Sequence, residues 1–97
     1  MNPQAGHEQA GRRPALVLSP YIYNEKVGLM LACPVTHQAK GYPFEVAIPS
    51  GLPIQGVVLA DHVRSLDWRA RETELVCSLP GATVNEVGAK LGTLLPI

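Results

Sequence analysis

Proline and glycine cut the apolar part of this 97-residue chain into runs of only a few residues. Nine of each are spread along it, and the longest apolar stretch, Val27 to Val35, is interrupted by Gly28 and Pro34. Helix interiors tolerate neither residue well, whereas short strands ended by turns accept both. The expectation is one mainly β domain. A membrane-spanning helix needs about 20 consecutive apolar residues, and no run here approaches that. Met1 to Arg13 is polar and lacks the apolar segment of a signal peptide. A soluble cytoplasmic protein with no membrane partner is expected.

The runs themselves carry a period. Ala15 to Leu18 is continuously apolar and closed by Pro20, as in a strand covered on both faces. Leu29, Leu31 and Cys33 alternate with Met30 and Ala32 in a second strand, and Asn24 to Gly28 reads as the hairpin turn between the two. Pro34 marks the second strand's end as an edge or a bulge. Phe44, Val46 and Ile48 form a third strand after the turn Lys40-Gly41-Tyr42-Pro43. Val57 to Ala60 is a fourth, and Leu75, Cys77 and Leu79 mark a fifth. The end of the chain changes period. Thr83 and Glu86 have capping-box form, and Val84, Val87, Leu91 and Leu94 recur at helical spacing. The spacing predicts a small, strongly bent β-barrel with a C-terminal helix. Residues 1–13 form a polar N-terminal loop, 14–79 the barrel strands and 83–95 the helix, all within a single domain 1–97.

A chain this short buries only about 60–65% of its unfolded surface, which favours a homo-oligomer. The formal net charge is zero. Residues 1–71 nevertheless hold seven basic against five acidic residues, and the rest holds Lys90 against Glu72, Glu74 and Glu86. An anion site is therefore expected in the first part, although so small an excess also describes an ordinary solvated face. Cys33 and Cys77 lie inside apolar runs and read as reduced, buried thiols. No ligand spacing implies a metal, and no nucleotide fingerprint implies a cofactor.

Chemistry-bearing residues gather in two loops. Pro14 biases Arg13 toward an extended conformation at the mouth of the first strand. There a guanidinium can hold a phosphate with its planar fork of donors, or simply pair with Glu8 on the surface. Thr36 to Lys40 places a hydroxyl, an imidazole, an amide and an ammonium within five residues. Such a loop can bind a phosphodiester or a base edge, or be a polar turn capped by Thr36. His7, His37 and His62 can serve acid–base chemistry or be plain surface histidines. Trp68, beside Arg64, Arg69 and Arg71, can stack a base or fill the core.

Three ordered blocks are distinctive. They are Glu8-Gln9-Ala10-Gly11-Arg12-Arg13-Pro14-Ala15-Leu16-Val17-Leu18-Ser19-Pro20, then Cys33-Pro34-Val35-Thr36-His37-Gln38-Ala39-Lys40-Gly41-Tyr42-Pro43-Phe44-Glu45-Val46, and then residues 56–71, which run from Gly56 through Asp61, His62 and Trp68 to Arg71. With these blocks the chain resembles the MazF-like (PemK-type) toxins, ribosome-independent endoribonucleases of type II toxin–antitoxin systems. The resemblance is strong over residues 2–71 and loose over the final helix.

The resemblance implies an SH3-like (CcdB/PemK-type) β-barrel working as a homodimer. It implies cleavage of single-stranded RNA without metal or cofactor, leaving 2′,3′-cyclic phosphate and 5′-hydroxyl ends and inhibiting translation. The catalytic positions fall on Arg13, Thr36 and Glu8. RNA-groove positions fall on Arg12, His37, Gln38 and Lys40. The implied partners are single-stranded RNA and a cognate antitoxin whose acidic tail occupies the groove. Arg12 stands where the family often has histidine, and His37 where it has a small hydroxyl residue. The family usually begins with a further strand ahead of Asn2-Pro3, expected to be absent here, which would leave the Ala15–Leu18 strand or a neighbour with an open edge. Three other readings follow: a truncated, non-catalytic form that binds antitoxin or RNA, a gyrase-poisoning toxin and an SH3-like interaction module. The second is disfavoured by the ending Leu95-Pro96-Ile97, where that class ends in Trp-Gly-Ile.

Overall fold

A computed structural model of the chain describes the backbone of residues 4–7 and all of residues 13–97. Its elements are β1 (Gln4–His7), β2 (Pro14–Val17), α1 (Tyr21–Val27), β3 (Met30–Thr36), β4 (Glu45–Ala47), β5 (Val57–Leu59), β6 (Arg64–Leu66), β7 (Glu74–Ser78) and α2 (Gly81–Gly92). All strand pairs are antiparallel, in the order β4-β5-β3-β2-β1-β7, with β6 paired to β3 alongside. The expected mainly β architecture with a C-terminal helix is present. The ladder does not close on itself, because β4 and β7 end the order among the described strands.

β2 is buried on both faces, as its unbroken apolar run predicts. Leu16 packs into the main core with Cys33, Val35, Val46, Val58 and Val87. Ala15 faces the other way, into a smaller cluster with Met30, Ala32 and Leu66. Pro34 neither ends nor bulges β3. The strand pairs β6 through Met30–Ala32 and β5 through Val35–Thr36. Pro34 stands at the seam between those partners, where a missing N–H costs no ladder bond.

Other sequence expectations are corrected as well. Asn24 to Gly28 is not a hairpin turn but the second half of α1 and its left-handed Gly28 cap, φ 82°. The buried Asn24 side chain accepts from Ser19 Oγ at 2.5 Å and donates to Ser19 O at 3.3 Å, while Ser19 Oγ accepts from Leu31 N at 2.9 Å. Tertiary bonds to Ser19 and β3 thus hold a seven-residue helix that local propensity alone would not. Asn24→Ala is expected to lower stability by about 2 kcal/mol, because it strips these partners from buried groups. The urea midpoint reads the loss.

Gln4–His7 is not loop but strand. It pairs β2 on one side and β7 on the other, so the edge expected to be open on β2 is covered. Backbone groups of two flanking strands recruit it, and that demand leaves no trace in side-chain period. β6 is an additional strand of three residues, too short to show alternation. Finally, Thr83 makes no capping box. Pro80 is the N-cap residue of α2, no side-chain cap bond forms, and Thr83 is buried inside the helix. The stripe seats Val87 fully in the core, whereas Leu94 lies past the helix and is exposed. The helix packs on β4, and Lys90 Nζ donates to Glu45 O at 3.1 Å.

Candidate functional site

Register brings the candidate residues together. β2 and β3 pair Ala15 with Pro34, Leu16 with Cys33 and Val17 with Ala32. Continued two residues outward, that register sets Arg13 across from Thr36. β3 and β6 pair Ala32 with Arg64, and the same continuation leads to His62 beside Pro34. Three segments far apart in sequence therefore deliver Arg13, Thr36 and His62 to one end of the sheet.

There they line a cleft of about 280 Å³, together with Arg64, Leu59, Pro14, Pro34 and Val35. Ala15, Ala32 and Leu66 complete its lining, and the two alanine methyls leave volume that larger side chains on that face would fill. Two guanidinium groups and an imidazole line this cleft, and no carboxylate does among the described residues. Such a lining suits a phosphate, which a guanidinium fork binds without risk of deprotonation.

A neighbouring cleft of about 380 Å³ shares the wall formed by Thr36, Leu59 and His62. Gln38, Lys40, Tyr42, Glu45 and Asp61 line the rest. Its donors and acceptors are mixed, as reading a base edge requires. The loop that carries them is tied down. Glu45 accepts from Lys40 N at 2.7 Å and Gly41 N at 2.9 Å. Thr36 Oγ1 accepts from Gln38 N at 3.1 Å, which leaves the hydroxyl proton available to a ligand.

Asp61 and His62 follow β5 in a tight turn, with His62 N donating to Leu59 O at 3.1 Å. Tyr42 donates its hydroxyl to Asp61 Oδ1 at 2.5 Å. That bond pushes the phenol up to about 12, helped by burial and by the charges of Asp61 and Glu45. A raised folded value means the pair's stabilisation is complete below the usual phenol value near 10 and is lost as the pH rises toward 12. In Asp61→Asn one late-ionising tyrosine is expected to move toward 10, seen in a 295 nm absorbance titration.

The sequence-derived site residues divide as follows. Arg13 and Thr36 share the first cleft, and Thr36, Gln38 and Lys40 share the second. His37 is exposed and lines neither. Glu8 and Arg12 lie outside the described residues. His62, weighed in the sequence only as an isolated histidine, lines both clefts, and Arg64 joins it in the first. The one sequence signal for His62 is its place beside Asp61 in the third block. Trp68 is structural. Its Nε1 donates to Asn24 O at 2.9 Å, midway along α1, and Arg69 lies 4.9 Å over its ring. Cys33 and Cys77 are both free, and burial pushes the Cys33 thiol up to about 11, which keeps it inert. Among the described residues no three His, Cys, Asp or Glu side chains converge as a metal site would need. No described helix is long and apolar enough to cross a membrane.

The family model for the PemK-like, MazF-like toxin of type II toxin–antitoxin systems matches residues 1–95. The chain belongs to this family. It is 47% identical over 94 residues to the endoribonuclease toxin MazF of Escherichia coli K12, covering 97% of this chain and 84% of that protein. It is similar to the crystal structure of a MazE–MazF complex from Deinococcus radiodurans, with 56% identity, a TM-score of 0.94, and coverage of 97% of this chain and 92% of that one. A crystal structure of MazF from the same organism shares 63% identity and a TM-score of 0.87, covering 97% of this chain and 86% of that one.

Proposed function

We propose that this family member is an endoribonuclease toxin that cuts single-stranded RNA without a metal, leaving 2′,3′-cyclic phosphate and 5′-hydroxyl ends and thereby inhibiting translation. The observation that carries the reading is the meeting of Arg13 and Thr36 in a cationic cleft beside a second, mixed polar one. Attack of the RNA's own 2′-hydroxyl on the adjacent phosphorus needs charge stabilisation at the non-bridging oxygens and proton movement at two others. Arg13 supplies fixed positive charge where negative charge develops. The Thr36 hydroxyl, its oxygen already engaged by Gln38 N, donates to the same phosphoryl group. Glu8 orients Arg13 or accepts a proton. Arg12, His37, Gln38 and Lys40 contact the strand, whose unpaired bases expose their edges.

The same surface suits the acidic tail of a cognate antitoxin, since a peptide carboxylate meets the guanidinium groups as a phosphate does. The cytoplasm, where both partners are made, is the compartment proposed. A second copy of the chain completes the assembly. α1 leaves Tyr21, Ile22 and Val27 exposed, with Ile22 61% accessible, apolar area that a homodimer would cover.

The test is cleavage of a long unstructured RNA by the purified protein in EDTA, with end-group mapping. Discrete cuts bearing 5′-hydroxyl ends are expected. Folded protein that binds the RNA and leaves it whole would replace this reading with the non-catalytic binding form.

A further inference from the structure

We propose that His62 is a further catalytic residue, the general acid that protonates the departing 5′-oxygen. The proposal rests on the RNA-cleaving reading and adds the proton donor that reading lacks. His62 stands on the wall common to both clefts, with Thr36 beside it and Arg13 on the same lining. A phosphodiester held by Arg13 and Thr36, with its flanking nucleotide in the second cleft, therefore passes this imidazole. The side chain is 49% exposed and free to meet a ligand, and its Nε2 lies 3.8 Å from Asp61 Oδ1. That carboxylate is itself held by the Tyr42 hydroxyl at 2.5 Å, so the imidazole has a fixed anionic neighbour.

No other described group on the first cleft can do this work near neutral pH. The guanidiniums of Arg13 and Arg64 do not release protons. The Thr36 hydroxyl is far too weak an acid. Lys40 and Glu45 line only the second cleft, and the Glu45 carboxylate is engaged by two backbone N–H groups. Tyr42 keeps its proton for Asp61. Imidazole is the side chain suited to giving up a proton between pH 5 and 8. Across the two clefts His62 faces the carboxylates of Asp61 and Glu45 and the cations of Arg13, Arg64 and Lys40.

The step balances. The 2′-oxygen forms a bond to phosphorus and its proton passes to a base, the role open to Glu8. The bond from phosphorus to the 5′-oxygen breaks, and the proton of His62 Nε2 or Nδ1 completes the 5′-hydroxyl. His62 is left neutral and regains a proton from water. An acid must be protonated to act, so a rate that depends on this proton falls toward high pH.

Single-turnover cleavage in EDTA, followed from pH 5 to 9, tests this with wild type and His62→Gln. Two short RNAs carrying the mapped cleavage site are used. One is ordinary; the other has sulfur in place of the bridging 5′-oxygen, and its thiolate leaves without a proton. On ordinary RNA His62→Gln is expected to be slower by about 100-fold or more, with the descending limb gone and RNA binding little changed. On the sulfur substrate the two proteins are expected to agree within a few-fold. Equal rates and profiles on ordinary RNA would overturn the proposal. A deficit that persists on the sulfur substrate would also overturn it, assigning His62 a positioning role. Wild type inert on both RNAs would remove the enzyme reading itself, an outcome distinct from His62 failing alone. Urea midpoints confirm that the variant is folded, and His62→Asn replaces it if the glutamine variant is not.

Discussion

Arg13→Ala is expected to slow RNA cleavage by about 10²–10³-fold, the usual cost of removing one fixed donor from a developing oxyanion. The loss should appear in the single-turnover rate at saturating RNA, because the charge on the non-bridging oxygens grows between ground state and transition state. Stability should hardly change. Arg13 is exposed at the head of β2. Arg13→Lys separates charge from geometry. A lysine keeps the cation and loses the two-pronged donor set, so its rate should fall between those of alanine and wild type. An alanine variant that cuts within a few-fold of wild type would show that Arg64, the other guanidinium of the cleft, holds the phosphate instead.

The pairing of Arg13 with Thr36 shows what a sequence of this kind displays and what it hides. The alternation of Phe44, Val46 and Ile48 and the apolar run at Ala15 each point to a strand, and both strands exist. Periodicity reports which face of an element is buried, so these elements were legible. It does not report which strands are neighbours. Arg13 and Thr36 meet only through the β2–β3 register, and that register is set by packing across the whole sheet. Family resemblance could place both in a site, whereas their spacing could not. His62 was hidden for the same reason, since it reaches the site through a turn between β5 and β6, and β6 is only three residues long. α1 leaves no such mark because its stability lies in Ser19, Asn24 and Trp68, whose contacts span up to 44 residues of sequence. β1 leaves none either, because backbone hydrogen bonding to two neighbours outweighs the weak strand preference of Gln4-Ala5-Gly6-His7.

The second large effect is expected at Gly56. Its φ of +119° lies where side chains are strained, and an added Cβ would fall 2.2 Å from Thr36 O and 2.9 Å from Thr36 C. Those atoms are backbone and cannot swing aside. Either the start of β5 or the Thr36–His37 segment must therefore move. Gly56→Ala is expected to cost about 3 kcal/mol, combining overpacking with backbone strain, read as a lower urea midpoint. Gly88→Ala is the contrast. It is helical, nothing lies within 4 Å of its added methyl, and it should gain about 1 kcal/mol. The consequence for chemistry follows from what Gly56 touches. A shift of about 1 Å at Thr36 carries its hydroxyl off the phosphoryl oxygen, and misplacement on that scale costs about 100-fold in rate. The cleavage rate of Gly56→Ala, measured where urea curves show the variant folded, should fall by about that factor. A normal rate in destabilised but folded protein would mean that the strain is absorbed within β5, leaving Gly56 a role in the fold and none in placing Thr36.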